Sequence, residues 1–203
     1  MRKALSLQNI IDYRPQTMGF TGEWLRVMGD PEPFGSWIIY GGSGQGKTRF
    51  TVQLVKYLMS FAGTRVAYNG LEEGVSDTYR RALLDTGLQT ENKTRFIFWD
   101  RLDLDDMTTL LRRKRSPNII VIDSLQYLSI NYDEYKHLVE RFPKKLFIWI
   151  SHEAGAKPDG TTAKKVLYNS NIKIRVRNYY ATITSRYRGN ETYDIWPEKH
   201  KGN

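Results

Sequence analysis

The residues best suited to chemistry are the eight that read Gly41-Gly-Ser-Gly-Gln-Gly-Lys-Thr48. They match the phosphate-binding P-loop pattern, G-x-x-x-x-G-K-[ST], at every fixed position. Glycines let backbone N–H groups turn towards phosphates, and the N-terminus of the next helix adds partial positive charge. We expect Lys47 to reach the β- and γ-phosphates of ATP and the Thr48 hydroxyl to ligate Mg²⁺. The predicted nucleotide-binding residues are Gly41, Gly42, Ser43, Gly44, Gln45, Gly46, Lys47, Thr48 and Arg49.

Acidic residues that follow two apolar runs could complete such a site. Asp123 ends the run Ile119-Ile-Val-Ile-Asp123, which we place beside the P-loop strand, so its carboxylate is a candidate Mg²⁺ ligand of Walker-B type. The alternative is a helix cap. Glu72 and Glu73 follow the run Val66-Ala-Tyr-Asn69, and Glu72 is the better candidate for the base that activates water. The alternative there is favourable charge at a helix N-terminus.

Two further residue types could contact the γ-phosphate. His152 follows the apolar run Leu146-Phe-Ile-Trp-Ile150, at the end of a predicted strand, where a polar side chain can hydrogen-bond a phosphate. Four late arginines could reach a nucleotide on a neighbouring subunit and stabilise transition-state charge. The alternative for them is ordinary charge on edge strands. These arginines are Arg175, Arg177, Arg186 and Arg188.

Alternating strands and helices must position these side chains. We predict strands at 36–40, 65–69, 95–99, 118–122 and 146–150, and helices at 50–59, 76–84, 103–114 and 132–142. This order indicates an α/β fold with a mainly parallel twisted sheet flanked by helices. Strands at 172–177, 182–187 and 192–196, with a turn at Gly189-Asn190, would form a C-terminal antiparallel extension.

Length and composition favour one globular domain. The chain has 203 residues, 40% of them hydrophobic, and lacks cysteine, which excludes disulfides and thiolate metal sites. No apolar run is long enough to span a membrane and no signal-peptide core follows Met1, so we expect a cytoplasmic protein. We divide it into an N-terminal arm or linker, 1–34, and an ATPase domain, 35–203. The arm is predicted to hold a helix near Ser6–Tyr13 and then a loop-rich stretch.

The positive charge is concentrated late in the chain. The net charge is +9, and residues 157–203 hold ten Lys or Arg against four Asp or Glu. A basic segment of this kind suggests a polyanionic partner, with nucleic acid first. A solvated basic surface, or cations aimed at a neighbour's nucleotide, would explain it as well.

Taken together, five stretches resemble the RecA-like ATPase superfamily, and most closely the motor domain of DnaB-type hexameric replicative helicases and phage helicase–primases. They are Tyr40-Gly-Gly-Ser-Gly-Gln-Gly-Lys-Thr48, Val66-Ala-Tyr-Asn-Gly-Leu-Glu-Glu73, Ile119-Ile-Val-Ile-Asp-Ser124, Ile150-Ser-His152 and Ile183-Thr-Ser-Arg-Tyr-Arg-Gly189. The resemblance implies that Glu72 is the catalytic glutamate, His152 the phosphate sensor and Arg186 a finger acting on the adjacent subunit of a ring or filament.

The same resemblance implies a DNA-contacting loop and limits the functional prediction. The loop at 153–162 is similar to the central-channel loop that grips single-stranded DNA, with Lys157, Lys164 and Lys165 as candidate contacts. It lacks an aromatic residue for base stacking, and only about 40 residues precede the P-loop, as in minimal phage or mobile-element forms. We therefore predict a homo-oligomeric Mg²⁺-ATPase acting on single-stranded DNA. The alternative is a nucleotide-switched regulatory, loader or assembly module that binds a protein.

Overall fold

A computed structural model describes residues 4–91 and 93–200. The strands form an eight-stranded sheet in the order β10-β9-β8-β1-β5-β4-β2-β3 and a small separate hairpin, β6-β7. Their bounds are β1 Gly35–Tyr40, β2 Val66–Gly70, β3 Phe96–Asp100, β4 Ile119–Asp123, β5 Leu146–Ser151, β6 Glu153–Ala154, β7 Lys157–Pro158, β8 Ile172–Arg177, β9 Tyr180–Ser185 and β10 Thr192–Asp194.

The α-helices of the described residues lie between and beside these strands. Their bounds are α1 Leu7–Ile11, α2 Gly22–Met28, α3 Lys47–Met59, α4 Asp77–Asp85, α5 Leu104–Leu111, α6 Leu125–Leu128, α7 Tyr132–Arg141, α8 Thr161–Asn169 and α9 Pro197–His200. Side chains cap several of them as the sequence suggests. Ser76 accepts a hydrogen bond from the Tyr79 amide, and Asn131 forms a capping box with Glu134 at the start of α7.

The central strands are parallel, and they are apolar because helices cover both faces. The six strands from β8 to β3 pair in parallel, and every residue of β2 and β5 is buried. The order of the strands corrects one prediction. β4 does not lie beside the P-loop strand β1, because β5 is inserted between them and pairs with both.

Side chains alternate between two cores on opposite faces of the sheet. Trp37 and Ile39 of β1 pack with α2, α3 and α4, whereas Ile38 packs with the side of the sheet that α5 to α8 cover. Each core contains large, fully buried aromatic residues, such as Trp37 in the first core and Trp149 in the second. The two cores hold the strand ends in fixed register, and these strand ends carry the predicted site residues.

The C-terminal extension is antiparallel as predicted, but its second strand is shifted. β9 spans 180–185 instead of 182–187, because a two-residue turn at Asn178 and Tyr179 reverses the chain directly after β8. Both turn residues have positive φ, 50° and 61°, as the tightest hairpins require. The chain leaves the sheet after Ser185, and β10 then returns to pair with β9.

The residues before β1 separate into a packed part and an exposed part. The stretch predicted to be loop-rich contains α2, whose Val27 and Met28 are buried in the core under α3. The end of α2 touches the turn after β9 so closely that a Cβ on Gly189 would lie 2.2 Å from the Met28 carbonyl carbon. In contrast, α1 buries none of its residues.

Among the described residues, no helix is both long and apolar enough to cross a membrane.

Candidate nucleotide-binding site

The predicted catalytic residues of the central sheet converge on one pocket at its carboxyl edge. The pocket has a volume of about 480 Å³ and lies where β1, β2, β4 and β5 end, as expected for an open α/β sheet. Its lining includes Lys47, Thr48, Glu72, Asp123 and His152. These side chains come from four separate stretches of sequence, so the fold brings together what the sequence analysis predicted to act together.

The P-loop glycines are needed for two different physical reasons. Gly44 and Gly46 have φ values of 69° and 104°, which side-chain-bearing residues rarely adopt. Gly41 has no room for a side chain, since a Cβ there would lie 2.2 Å from the Val176 carbonyl oxygen of β8. A Cβ on Gly46 would likewise lie 2.8 Å from the ring of Tyr179. The loop is therefore shaped by its own φ angles and by the adjacent β8–β9 hairpin.

Gln45 and the hairpin turn form a connection that the sequence analysis missed. The Gln45 side-chain oxygen accepts a hydrogen bond of 2.7 Å from the Asn178 amide, and its backbone oxygen accepts one of 3.1 Å from the Tyr179 amide. Tyr179 packs edge-on against Trp196, which in turn lies under the guanidinium of Arg49 at 4.3 Å. Both rings line the pocket, and the Lys199 ammonium lies 3.7 Å from the centre of the Tyr179 ring.

The Lys47 side chain folds back onto the backbone of the P-loop. Its ammonium donates hydrogen bonds of 3.0 Å and 2.8 Å to the carbonyl oxygens of Gly41 and Gly42. Burial lowers the pKa of Lys47, and the negative charges of Asp123 and Glu72 act in the opposite direction. The ammonium is thus fixed at the base of the pocket in a position suited to bind an anion.

Asp123 has a buried partner that sequence reasoning did not identify. The hydroxyl of Tyr68, on β2, donates a short hydrogen bond to Asp123 Oδ2. Burial raises the pKa of Asp123 to about 6, against the lowering effect of the Tyr68 hydrogen bond and of Lys47. Tyr68 is itself only 1% exposed and stacks against Phe98 of the next strand. No short motif marks this tyrosine; only the pairing of β2 with β4 places it beside the aspartate.

The donor set fits Mg²⁺ and a triphosphate. A carboxylate from Asp123 and a hydroxyl from Thr48 are the hard oxygen ligands that Mg²⁺ accepts, usually together with water and phosphate oxygens. A cation would also supply the positive charge that the buried carboxylate of Asp123 lacks. The glycine cradle, the ammonium of Lys47 and the N-terminus of α3 are suited to phosphates.

Glu72 and His152 contact each other across the pocket. His152 Nε2 lies 3.1 Å from Glu72 Oε2, and each side chain is about 30% exposed. Gln126, on α6 after Asp123, holds the segment that carries the histidine. Its side-chain oxygen accepts a 3.3 Å hydrogen bond from the His152 amide, and its side-chain nitrogen donates to the Asp159 carbonyl oxygen at 2.9 Å. Gln126 therefore links the strand of Asp123 to the loop after β5.

The neighbouring acid, Glu73, takes part in a local network instead. Its carboxylate accepts a 2.8 Å hydrogen bond from the Ser76 hydroxyl, and its carbonyl oxygen accepts one of 3.2 Å from Arg101. Glu73 also lines the pocket, and its negative charge contributes to the raised pKa of Asp123.

The predicted arginine finger lies at the opposite edge of the sheet. Arg186 is exposed, and its amide bonds to the Asn171 carbonyl oxygen just before β8 begins. The P-loop approaches β8 at Val176, five residues further on, which is about 17 Å along an extended strand. Arg186 therefore does not line the pocket of its own chain. Arg175 instead pairs with Glu153, and the residues Arg177 and Arg188 are exposed.

The three candidate DNA-binding lysines lie next to the loop after β5. Lys157 is exposed on the small hairpin formed by β6 and β7, and Lys164 is exposed on α8. Lys165 lies over the ring of Tyr132, with its ammonium 5.0 Å from the ring centre, and so points towards α7.

Comparison with known proteins identifies the fold. No protein-family model matches the chain, and no curated protein matches its sequence. The structure is similar to the flagellar accessory protein FlaH from Methanocaldococcus jannaschii, with a TM-score of 0.61 and 13% identity over 89% of this chain and 94% of FlaH. It is also similar to a KaiC-like protein from Pyrococcus horikoshii, with a TM-score of 0.59 and 16% identity over 89% of this chain and 93% of that one.

These similarities, together with the strand order, define the fold. The chain has a RecA-like P-loop fold with a mainly parallel eight-stranded sheet, flanking helices and antiparallel C-terminal strands. At such low sequence identity the likeness concerns the fold, and the activity must be argued from the site.

The raised pKa of Asp123 predicts that this residue destabilises the nucleotide-free protein at neutral pH. Its folded pKa of about 6 lies above the ordinary value, so folding favours the protonated form. That stabilisation is complete below about pH 4 and is lost as the pH rises through about 6. We expect Asp123→Asn to raise the unfolding free energy at pH 7.5 by about 1–2 kcal/mol. Urea denaturation at pH 7.5 and pH 4.5 tests this, and an equal effect at both pH values would contradict it.

The hydrogen bond from Tyr68 predicts that this tyrosine positions Asp123 for Mg²⁺. Tyr68→Phe should weaken Mn²⁺ binding, followed by electron paramagnetic resonance in the presence of ATP, by about tenfold or more. The matched control is Tyr79→Phe, because the buried Tyr79 hydroxyl has no partner among the described residues and its ring lies 4.8 Å from that of Tyr68. If both variants bound Mn²⁺ like the wild-type protein, Tyr68 would have only a packing role.

Proposed function

We propose that this protein is a Mg²⁺-dependent ATPase of RecA/DnaB-like type that assembles into a ring or filament and acts on single-stranded DNA. The convergence of Lys47, Thr48, Glu72, Asp123 and His152 on one pocket is the observation that carries the ATPase assignment. Each has a residue type suited to one step of phosphoryl transfer to water.

Each of these residues has its own role in the proposed hydrolysis of ATP. The P-loop amides and Lys47 bind and orient the phosphates, while Thr48 and Asp123 hold the metal. When bound, Mg²⁺ neutralises charge on the β- and γ-phosphates. Glu72 accepts the proton of the attacking water, and its contact with His152 keeps the carboxylate beside the pocket. We assign to His152 the role of hydrogen-bonding the γ-phosphate, and its link to Gln126 would carry that signal to the following loop.

The position of Arg186 supports nucleotide binding between subunits. It lies about 17 Å along the sheet from its own P-loop, so it can serve as a finger only for the site of another copy. Exposed apolar side chains before β1 support self-association as well, since they have no cover within the described chain. These residues are Leu5, Leu7, Ile10, Ile11 and Tyr13, exposed by 58–73%.

Single-stranded DNA is the proposed polymer because the basic residues follow the γ-phosphate sensor in sequence and in space. Lys157 and Lys164 are exposed on the segment that begins at His152, so a change at the sensor can reach them directly. The net charge of +9 suits a polyanion.

A second function is favoured by one observation from the comparisons. One structural neighbour is named a flagellar accessory protein, a name that refers to the flagellum and makes no mention of DNA. A nucleotide-switched module that binds a protein partner would use the same pocket. Binding to a single-stranded oligonucleotide separates the two functions, because phosphate contacts give an affinity that falls steeply with salt.

Glu72→Gln tests the catalytic assignment. This variant should bind ATP with wild-type affinity, because the glutamine keeps the shape of the side chain, but it should hydrolyse ATP about 100-fold or more slowly because the general base is gone. Single-turnover hydrolysis and binding of a fluorescent ATP analogue measure the two quantities. Glu73→Gln is the matched control and should retain turnover. Wild-type hydrolysis by Glu72→Gln would move the base to another residue.

Mixing two inactive variants tests the shared site. Lys47→Ala should lose nucleotide binding, and Arg186→Ala should bind ATP but hydrolyse it slowly. In mixed assemblies, about a quarter of interfaces would join an intact P-loop to an intact finger, so an equimolar mixture should regain a comparable fraction of the wild-type activity. Arg113→Ala, at an exposed site elsewhere, should remain active alone. No recovery on mixing, despite assembly shown by mass in solution, would contradict the finger assignment.

A further inference from the structure

One face of the C-terminal extension is left uncovered by the described chain. In β8 and β9 the buried apolar side chains are Ile172, Ile174, Val176, Ala181 and Ile183, and all five belong to the core under α2 and α3. The alternate residues point to the other face, which α5 to α8 cover only beneath the central strands. That face of β8 and β9 therefore lies open beside α8.

The open face is basic and carries hydroxyl groups. Its middle part presents Lys173 and Arg175 from β8 and Thr182 and Thr184 from β9, paired across the two strands. Neither strand contains an acidic residue. A half-buried apolar stripe would suit protein packing, whereas these side chains offer positive charge and hydrogen-bond donors.

Aromatic residues border the same surface and turn it into a cleft. Tyr40 from β1 and Leu167 and Tyr168 from α8 form one wall, and the cleft encloses about 220 Å³. Tyr168 is 68% exposed, although large aromatic side chains are usually better buried. Lys164 lies one helical turn earlier on the same side of α8, so the cleft continues towards the loop after β5.

The cations of the cleft are available to a ligand. Glu153 accepts a 2.7 Å hydrogen bond from Nε of Arg175 and forms an ion pair with its Nη2, and the Glu153 side chain is 9% exposed. Neither Arg175 Nη1 nor the Lys173 ammonium has a partner within the described residues. Glu153 directly follows His152, so its ion pair with Arg175 joins the cleft to the predicted phosphate sensor.

We propose that this cleft, lined by Tyr40, Tyr168, Lys173, Arg175, Thr182 and Thr184, binds the backbone and one or two bases of single-stranded nucleic acid. The inference rests on the proposed function and adds to it a surface next to the candidate lysines. Cations and threonine hydroxyls bind phosphates, and the exposed ring of Tyr168 stacks on a base. The ion pair between Arg175 and Glu153 makes occupancy of the cleft sensitive to the nucleotide state at His152.

Charge reversal in the cleft provides the test. Fluorescence anisotropy of an oligothymidylate of about 20 nucleotides is measured against salt concentration, with Mg²⁺ and a non-hydrolysable ATP analogue. Lys173→Glu should weaken binding about tenfold or more and lower the magnitude of the salt slope by about 1. Tyr168→Ala should weaken binding about fivefold to 100-fold with the salt slope unchanged, because stacking carries no charge. Arg113→Glu reverses an exposed cation just after α5, outside the cleft, and is the control for the change in charge.

The outcomes separate this inference from the proposed function. If Lys173→Glu and Tyr168→Ala remain folded by thermal unfolding and bind the oligonucleotide no more weakly than Arg113→Glu, the cleft is not a nucleic-acid site even though the protein binds DNA. If the variants change only the mass of the assembly, the face is an interface between copies, and the inference is wrong. If the wild-type protein binds no oligonucleotide in any nucleotide state, the DNA part of the proposed function fails together with the cleft.

Discussion

The contact on which the rest of the site depends is the packing of the P-loop against the β8–β9 hairpin. Gly41 lies against the Val176 carbonyl, Gly46 lies against the Tyr179 ring, and Gln45 is hydrogen-bonded to the turn between the two strands. A P-loop can bind phosphate only when its backbone N–H groups point towards the ligand. A loop that packs against nothing rarely keeps one such conformation. Here a packed hairpin fixes the conformation of the loop, so the C-terminal extension is part of the candidate nucleotide site.

The same hairpin spans the full height of the sheet. Its turn touches the P-loop, while its other end leads into Arg186 and is fixed by the close contact between Gly189 and the end of α2. If Arg186 acts on the nucleotide of a neighbouring copy, one rigid β-ribbon connects two successive nucleotide sites. Two packed strands transmit a displacement better than a flexible loop would, because their register is fixed by backbone hydrogen bonds.

The parts of the structure that follow from local rules could be predicted from the sequence. The P-loop, the apolar strand before Asp123 and the capped helices each depend on nearby residues, and their bounds fall within about three residues of the predicted ones. Three other features depend on contacts between distant residues, and the sequence alone did not reveal them. The insertion of β5 between β1 and β4 is a matter of strand order, the turn at Asn178 and Tyr179 lacks the glycine that usually marks such turns, and Tyr68 reaches Asp123 only through strand pairing. The role of each predicted site residue remains a prediction.

The charges in the pocket suit a complex of a metal ion with a triphosphate better than either component alone. Burial raises the pKa of Asp123 and lowers that of Lys47, so each group is shifted towards its neutral form although the two have opposite charges. A close ion pair would shift both pKa values the other way, and within the described residues the two form none. A cation beside the carboxylate and an anion beside the ammonium would offset the cost of burying each charge, at separate positions in one cavity. A triphosphate alone would leave Asp123 uncompensated and add repulsion from Glu72, whereas Mg²⁺ with the triphosphate satisfies both groups at once.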